Sequence, residues 1–327
     1  MKKFTLIAVV AAFVFSASTA MAETKLRITL QLPLKHHLGQ NLQDFKEEVE
    51  KESGGDLKIE IYPSAQLYKD KEVPQAVSSG SIEMGVASIT RFAGTVPAVD
   101  IFYVPFLLDS EAKVRAATAP GSSIRGPIDA AILKTGARIL WWQAFGGAII
   151  LSKDKPMRTP ADMKGKKVRV FGKTLGDFVT ELGGAPTLMS GSKQFLAYQR
   201  GTVDAGMTGL TTIPSRKLFQ VMDYVTLTNH ADIEFVVLIN EKVWQKLGKK
   251  NQGIIATAGQ RVEKELRDKM TKIEADSLAF AKEKMKVVEL SDSERAAWRK
   301  ASSPVVKAYE SRAGDLGSQL VKAAGKL

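Results

Sequence analysis

Apolar and polar positions alternate with period two at several places along the 327-residue chain, and each such stretch predicts a half-buried strand. The first is Lys25-Leu26-Arg27-Ile28-Thr29-Leu30. Leu38, Leu42, Phe45 and Val49 then recur at helical spacing, and Gly54-Gly55 ends that amphipathic helix as a left-handed cap would. Leu57-Lys58-Ile59-Glu60-Ile61 is the next strand. Strand, helix and strand within about forty residues make the βαβ unit of an open parallel sheet, so the expected class is α/β.

The same pattern returns in Lys167-Val168-Arg169-Val170, flanked by Gly165 and Gly172. A strand has one face for the core and one for something else, and periodicity alone allows Arg169 to face bulk water or a ligand. A short repeat accompanies these strands. Ala76-Val77-Ser78-Ser79-Gly80-Ser81-Ile82-Glu83-Met84-Gly85 matches Ala197-Tyr198-Gln199-Arg200-Gly201-Thr202-Val203-Asp204-Ala205-Gly206. Each copy reads as a helix end, a glycine cap, a turn and a strand, and each is taken to follow an alternating strand, Lys58 to Ile61 in one case and Lys167 to Val170 in the other. If the repeat is architectural, the chain holds two similar lobes.

In the last third, Ile254, Ala258, Val262, Leu266, Met270, Ile273, Ser277 and Ala281 lie three or four apart, which predicts one long helix. A helix of about thirty residues exceeds one lobe's diameter and can brace two. A strand from Lys286 to Leu290 follows, and Ser291-Asp292-Ser293-Glu294 has the form of a capping box that opens a further helix through Trp298.

The N-terminus changes the picture. Lys2 and Lys3 precede an apolar run from Phe4 to Phe15, and Ala20-Met21-Ala22 is a small-x-small cleavage pattern. This is the form of a cleavable secretory leader, too short for a membrane span, so the expected location is the periplasm. The formal charge of +12 falls to +10 when Lys2 and Lys3 are removed. The basic residues are spread along the chain with no aromatic-basic module, so the excess reads as solvated surface and no nucleic-acid partner is expected. There is no cysteine, hence no disulfide and no thiolate chemistry.

Catalytic constellations are scarce. His36, His37 and His230 are the only histidines, without the spacing of a zinc site, so no metal and no cofactor are expected. His36 and His37 read as loop surface. No G-x-S-x-G elbow or phosphate-binding glycine loop follows a strand. An enzyme on such a scaffold would have to use Asp232 and Glu234 near His230. Binding chemistry is better supplied. Arginine presents a planar fork to a carboxylate, and Arg169 near the carboxyl end of a strand would stand where α/β ligands bind.

From Gly136 to Leu218 the chain resembles the extracytoplasmic solute receptors of TRAP (tripartite ATP-independent periplasmic) transporters of the DctP type. The run from Lys155 to Val170, then Gly184-Ala185-Pro186 with Met189, then Ala197 to Asp204 carry the likeness, with Tyr62 to Leu67 and Gly80 to Met84 as earlier matches. The resemblance implies a hinged two-lobe periplasmic binding protein fold with a long C-terminal helix spanning both lobes. It implies a leader at 1–22, lobe I at 23–146 plus 235–273, and lobe II at 147–234 plus 274–327. It implies no catalysis. An organic carboxylate would be clamped between the lobes and delivered to integral membrane subunits, with Arg169 as its ionic partner. A secreted enzyme, or a receptor for another transporter type, is the alternative.

Further ligand-binding candidates follow from the same resemblance: Gln31 after the first strand, Ser88 and Arg91 after the third, and Trp142, Phe145 and Phe171 beside the cleft. Arg91 reads equally as a partner in an ion pair within its own lobe. The chain also departs from the family pattern. By gap-free spacing from Arg169, Ile149 stands where many members carry a second arginine, and Met207 and Thr208 replace polar contacts. These apolar replacements favour a monocarboxylate with an apolar or aromatic body.

Overall fold

The structure is a computed structural model that describes residues 23–327, so the leader expected at 1–22 lies outside the described residues. The described residues form ten strands: β1 (Thr24–Thr29), β2 (Leu57–Tyr62), β3 (Met84–Ser88), β4 (Ala137–Ser152), β5 (Lys167–Val170), β6 (Ala185–Leu188), β7 (Ala205–Gly209), β8 (Tyr224–Leu227), β9 (Asp232–Asn240) and β10 (Lys286–Glu289). One lobe carries the order β2-β1-β3-β9-β4 and the other β6-β5-β7-β4, with β8 on β4 and β10 on β8. β4 belongs to both. Ala137 to Gly147 pair with β9, and Ala148 to Ser152 pair with β7.

The two lobes repeat one plan. β1 lies parallel between β2 and β3, and β5 lies parallel between β6 and β7. The two copies of the ten-residue motif run into β3 and β7, with Gly80 at φ 78° and Gly201 at φ 64° in the left-handed turn that glycine adopts without steric cost. The repeat is therefore architectural. Its alignment with the alternating strands needs one correction: the counterpart of β2 is β6, and Lys167–Val170 is the counterpart of β1.

The βαβ unit forms as read. Helix His37–Glu52 buries Leu38, Leu42, Phe45 and Val49 and ends before Gly54 and Gly55, both at positive φ. Helix Gly248–Lys284 is longer than the periodicity suggested, at 37 residues. At about 1.5 Å per residue it reaches past one lobe. It packs on β4 and helix His37–Glu52 at one end and on β10 at the other. Ser291 caps helix Asp292–Ala301 through a capping box, and the helical segment Ser303–Ala324, kinked at Gly314, packs against both lobes, on the 3-10 turn Pro97–Tyr103 and on helix Lys173–Glu181. Among the described residues, no helix is long and apolar enough to cross a membrane.

Candidate functional site

The carboxyl ends of the parallel strands of the two lobes face each other. That is where an open α/β sheet exposes its loops, and the arrangement gathers side chains from both lobes around one cavity. Gln31 follows β1, Ser88 ends β3, Arg169 lies in β5 with Phe171 just beyond, and Thr208 lies in β7. The crossing strands add Phe145, Ile233 and Phe235. Asp70, Gly191, Gln194 and Arg216 complete the lining. The lobes close on about 20 Å³, room for about one water molecule. Hollows of about 330 Å³ occur beside Asp232 and Glu274 and beside His36 and His37.

Arg169 is 3% exposed. It donates from Nη1 to the Met207 carbonyl at 2.6 Å and from Nη2 to the Met189 carbonyl at 3.0 Å, and its guanidinium lies 5.2 Å from the Phe171 ring centre. Its buried Nε has no hydrogen-bond partner. Burial lowers this guanidinium from its usual range to about 9, and the like charges of Arg91 and Arg216 push the same way. The strand is buried on both faces beyond Lys167, and it turns its arginine into the cleft, away from bulk water.

Sequence reasoning missed Asp70, Gly191, Gln194, Ile233, Phe235 and, most consequentially, the charged Arg216. It stands beside Lys217, and the basic pair reads as solvated surface. In the structure its Nη2 donates to Gln31 Oε1 across the lobes at 3.3 Å. Gln194 lies against both arginines, and the amide orientation that satisfies its oxygen and nitrogen together, the reverse of the one in the structure, sets its oxygen 3.2 Å from Arg216 Nη1 and 3.1 Å from Arg169 Nη1. A Cβ at Gly191 would lie 2.3 Å from Arg216 Nη1, so glycine is what lets this guanidinium in. Burial lowers Arg216 to about 10. The one signal in sequence is Gly191 itself, and it has no meaning until the fold sets it against Arg216.

The other candidates divide. Gln31, Ser88, Thr208, Phe145 and Phe171 come together at the cavity. Arg91 takes its alternative reading: its Nε donates to Asp70, a buried ion pair within one lobe, while Ser88 N donates to the other Asp70 oxygen at 3.0 Å. Trp142 does not reach the cavity; it is fully buried, and its Nε1 donates to Asp129 at 2.9 Å. Ile149 sits in the core with Tyr198 and Ile213. Met207 offers its carbonyl to Arg169 while its side chain is buried in the core, because neighbouring residues of β7 face opposite ways and Thr208 takes the cavity face.

His36 and His37 are not loop surface. His36 is 2% exposed; its Nδ1 accepts from Leu38 N at 3.2 Å and caps helix His37–Glu52, which turns the ring inward. The two rings stand 4.0 Å apart, and His36 stacks on Phe145 at 5.3 Å. Nor do His230, Asp232 and Glu234 form a catalytic group. His230 bonds Thr228 at 2.8 Å, and Glu234 is held by Arg267 on the long helix. Among the described residues, no cluster suits a metal ion.

Known proteins resemble this chain in sequence and fold. The profile of bacterial extracellular solute-binding protein, family 7 (DctP) matches residues 30–312. The C4-dicarboxylate-binding periplasmic protein DctP of Rhodobacter capsulatus is 29% identical over 88% of this chain and 86% of its own. The sialic acid-binding periplasmic protein SiaP of Vibrio cholerae is 28% identical over 91% and 92%. Among solved structures, a TRAP periplasmic solute-binding protein from Polaromonas bound to D-erythronate superposes with a TM-score of 0.86 at 27% identity, covering 92% of this chain and 98% of its own. A Bordetella pertussis receptor binding pyroglutamic acid gives 0.87 at 22% identity over 92% and 99%, which supports the fold. Members of this family bind solutes and are not enzymes. A two-lobe α/β scaffold, an interlobe cavity with a buried arginine and a profile match over most of its length make this chain a member of bacterial extracellular solute-binding protein family 7, the receptors of TRAP transporters.

Proposed function

We propose that this protein is a periplasmic receptor that holds a small organic acid in the interlobe cavity, its carboxylate on Arg169, and delivers it to the integral membrane subunits of a TRAP transporter. One observation carries the reading: Arg169 is sealed between the lobes with a free Nε, and carbonyl and amide oxygens, never a carboxylate, are its partners among the described residues. A buried cation without a counter-charge is costly, and an anionic ligand removes that cost. Relatives that bind C4-dicarboxylates and sialic acid support the class and leave the ligand open.

Phe145, Phe171, Ile233 and Phe235 give the ligand an apolar wall, which favours an acid with an apolar face. The preference for a single carboxylate loses support, because Ile149, Met207 and Trp142 do not present side chains to the cavity. An acid of several carbons needs more than the present 20 Å³, so it enters as the lobes move apart about β4, β9 and the long helix. Lobe boundaries at 146/147 and 234/235 fit β4, which changes partner at Gly147/Ala148, and β9, which pairs with β3 from Phe235 onward.

The test is a thermal-shift screen against aliphatic, aromatic, keto, hydroxy, dicarboxylic and sugar acids, with Arg169→Ala in parallel. A ligand that binds only the folded state raises the melting temperature. The expected result is a shift with one acid class that Arg169→Ala abolishes, since losing a charge-assisted partner costs about 1.5 to 3 kcal/mol. A shift that survives in Arg169→Ala would overturn the assignment.

A further inference from the structure

His36 and Thr211 join the two lobes beside the cavity. His36 follows β1 in one lobe, and Thr211 follows β7 in the other. His36 Nε2 and Thr211 Oγ1 stand 3.2 Å apart, and both side chains are buried. The partners of the ring assign its proton. Nδ1 accepts from the Leu38 backbone N–H, a group that can only donate, so Nδ1 carries no proton. The neutral ring then carries its proton on Nε2 and donates it to Thr211. One nitrogen caps helix His37–Glu52 and the other holds the opposite lobe. A proton on Nδ1 removes the acceptor that the cap needs.

The surroundings of the ring disfavour that second proton. Lys35 and His37 flank it on its own loop, and Arg216 adds a positive charge from the other lobe. Asp276, on the long helix, is the one carboxylate at the adjoining hollow, and it is already bonded to Lys272 at 2.7 Å. Burial first, then the charges of His37 and Arg216, hold His36 well below its ordinary pKa. The latch is also coupled to the cavity. Phe145 stacks on His36 and lines the cavity. The short helix that starts after Thr211 ends at Arg216, which lines the cavity and donates to Gln31 of the first lobe.

We infer that His36 is a positioning residue for closure: its neutral ring latches Thr211 when the lobes meet, and a proton on Nδ1 releases the latch, so that ligand is held less tightly in acid. The inference rests on the proposed acid-binding role of the cavity and adds a proton to its closing step. Parting of the lobes takes Thr211, Pro214 and Ser215 away from the ring and lets water reach it, and a hydrated imidazole gains its proton near pH 6.5. Closure below that pH must expel the proton, so the bound form is favoured as pH rises. His37 does not share the role, because its Nε2 bonds the Ala144 carbonyl of its own lobe at 3.2 Å.

Calorimetric titration with D-erythronate, orotate and galactonate, acids held by solved proteins of this fold and ionised between pH 8 and pH 5.5, tests this. An acid that binds should be held about three- to tenfold less tightly at pH 5.5 than at pH 8, the range for one linked proton on a ring that also caps a helix. His36→Asn keeps a capping side chain and cannot titrate, so its two affinities should agree within about twofold. Thr211→Val removes the acceptor alone. It should weaken binding about three- to tenfold at pH 8 and keep the pH dependence, since closure still buries the ring. The chain has no cysteine, so Lys71→Cys and Lys193→Cys, at exposed positions in opposite lobes beside Asp70 and Gln194, take spin labels whose separation reports closure without ligand. Equal affinity at the two pH values in the unaltered histidine protein overturns the inference without need of any variant. A fall of the same size in His36→Asn overturns it too, and both results leave the receptor reading standing. Binding of none of the three acids counts against the acid-binding reading, and the latch is then read from the labels alone. A separation that grows from pH 8 to pH 5.5 with His36 and not with His36→Asn supports it; one that does not move, or moves equally in both, overturns it.

Discussion

The carboxylate of Asp100, in one lobe, caps the first turn of helix Lys173–Glu181 in the other through Thr174. Thr174 donates to Asp100 Oδ2 from its backbone N at 3.1 Å and from Oγ1 at 2.8 Å, while Thr90 donates to Oδ1 at 2.6 Å. The helix has no cap of its own, because its N-cap residue is Gly172. A Cβ at that position would lie 2.4 Å from Thr90 Oγ1, so glycine leaves room for the other lobe to supply the cap. Asp100 is fully buried, burial raises its pKa, and Arg312 of the last helix stands 3.8 Å away as the nearest cation. Asp100→Ala strands two buried donors of Thr174 and one of Thr90. It is expected to lower stability by about 2 to 4 kcal/mol in urea denaturation. It should also raise the radius of gyration of the ligand-free protein in X-ray scattering, since a contact between lobes is lost. A variant with unchanged denaturation midpoint would show that the cap adds nothing.

Gly146 and Glu274 meet where β4 passes from one sheet to the other. Gly146 has φ 104°, a register shift separates it from Ala144, and the Glu274 carboxylate accepts from Gly147 N at 2.9 Å. A Cβ at 146 would lie 2.4 Å from Glu274 Oε1. Gly146→Ala therefore meets two penalties, about 1 to 2 kcal/mol for the left-handed backbone and a further steric cost against Glu274. In a double-mutant cycle, Glu274→Ala should recover the steric part and leave the backbone part. Simple additivity of the two substitutions would refute the contact.

Much of this architecture is legible in the hydrophobic pattern. Period two marks β1, β2 and β5, period 3.6 marks both principal helices, and the short repeat marks the two-lobed plan, because each of these is a local consequence of which side must be dry. Arg169 was found because its strand motif carries a family likeness. Trp142 departs from its expected place for a physical reason: β4 contains register shifts between Ile139 and Trp141 and between Ala144 and Gly146, and each shift changes which residues face the cleft. Ile149 lies beyond both shifts, and its side chain turns into the core beside Tyr198 and Ile213. Arg216, Asp70 and Gln194 reach the cavity from the ends of short helical turns whose placement depends on contacts far away in sequence, such as Arg216 with Gln31.

Glu234 and Arg267 form a two-pronged pair at 2.6 and 2.9 Å that ties β9 to the long helix, with the carboxylate fully buried. Removing one partner leaves the other as an uncompensated buried charge. Glu234→Ala should cost about 3 to 5 kcal/mol, and Arg267→Met a comparable amount. Replacing both, as Glu234→Met with Arg267→Met, should recover most of the loss, because the desolvation cost of the pair goes with it. Denaturation midpoints of the three variants decide the matter. A double variant as unstable as the worse single one would show that the charges themselves hold the helix to the strand.

His230 gives the protein an acid sensitivity that can be measured by difference. The ring is fully buried against Phe178 at 5.7 Å, Nδ1 bonds Thr228, and Nε2 has no partner. Burial lowers its pKa to about 3, and burial likewise lowers His37 to about 4 and His36 well below its ordinary value. The unfolded chain protonates each of these near pH 6.5 and the native protein does not. Stability is therefore full above pH 6.5 and declines as pH falls toward the native values, by about 1.4 kcal/mol per pH unit for each proton taken up on unfolding. Asp100, Asp129, Asp232 and Glu274 oppose this, since burial raises each of them and the native state holds their protons longer. Those groups are common to the protein and its His230→Asn variant, so they cancel in the comparison. Asparagine offers a polar group to Thr228 and cannot titrate. Whatever its effect at pH 8, His230→Asn should reduce the fall in stability between pH 6 and pH 4 by the equivalent of about one proton, read from urea midpoints at each pH. Parallel stability curves across that range would mean that His230 gains its proton without unfolding.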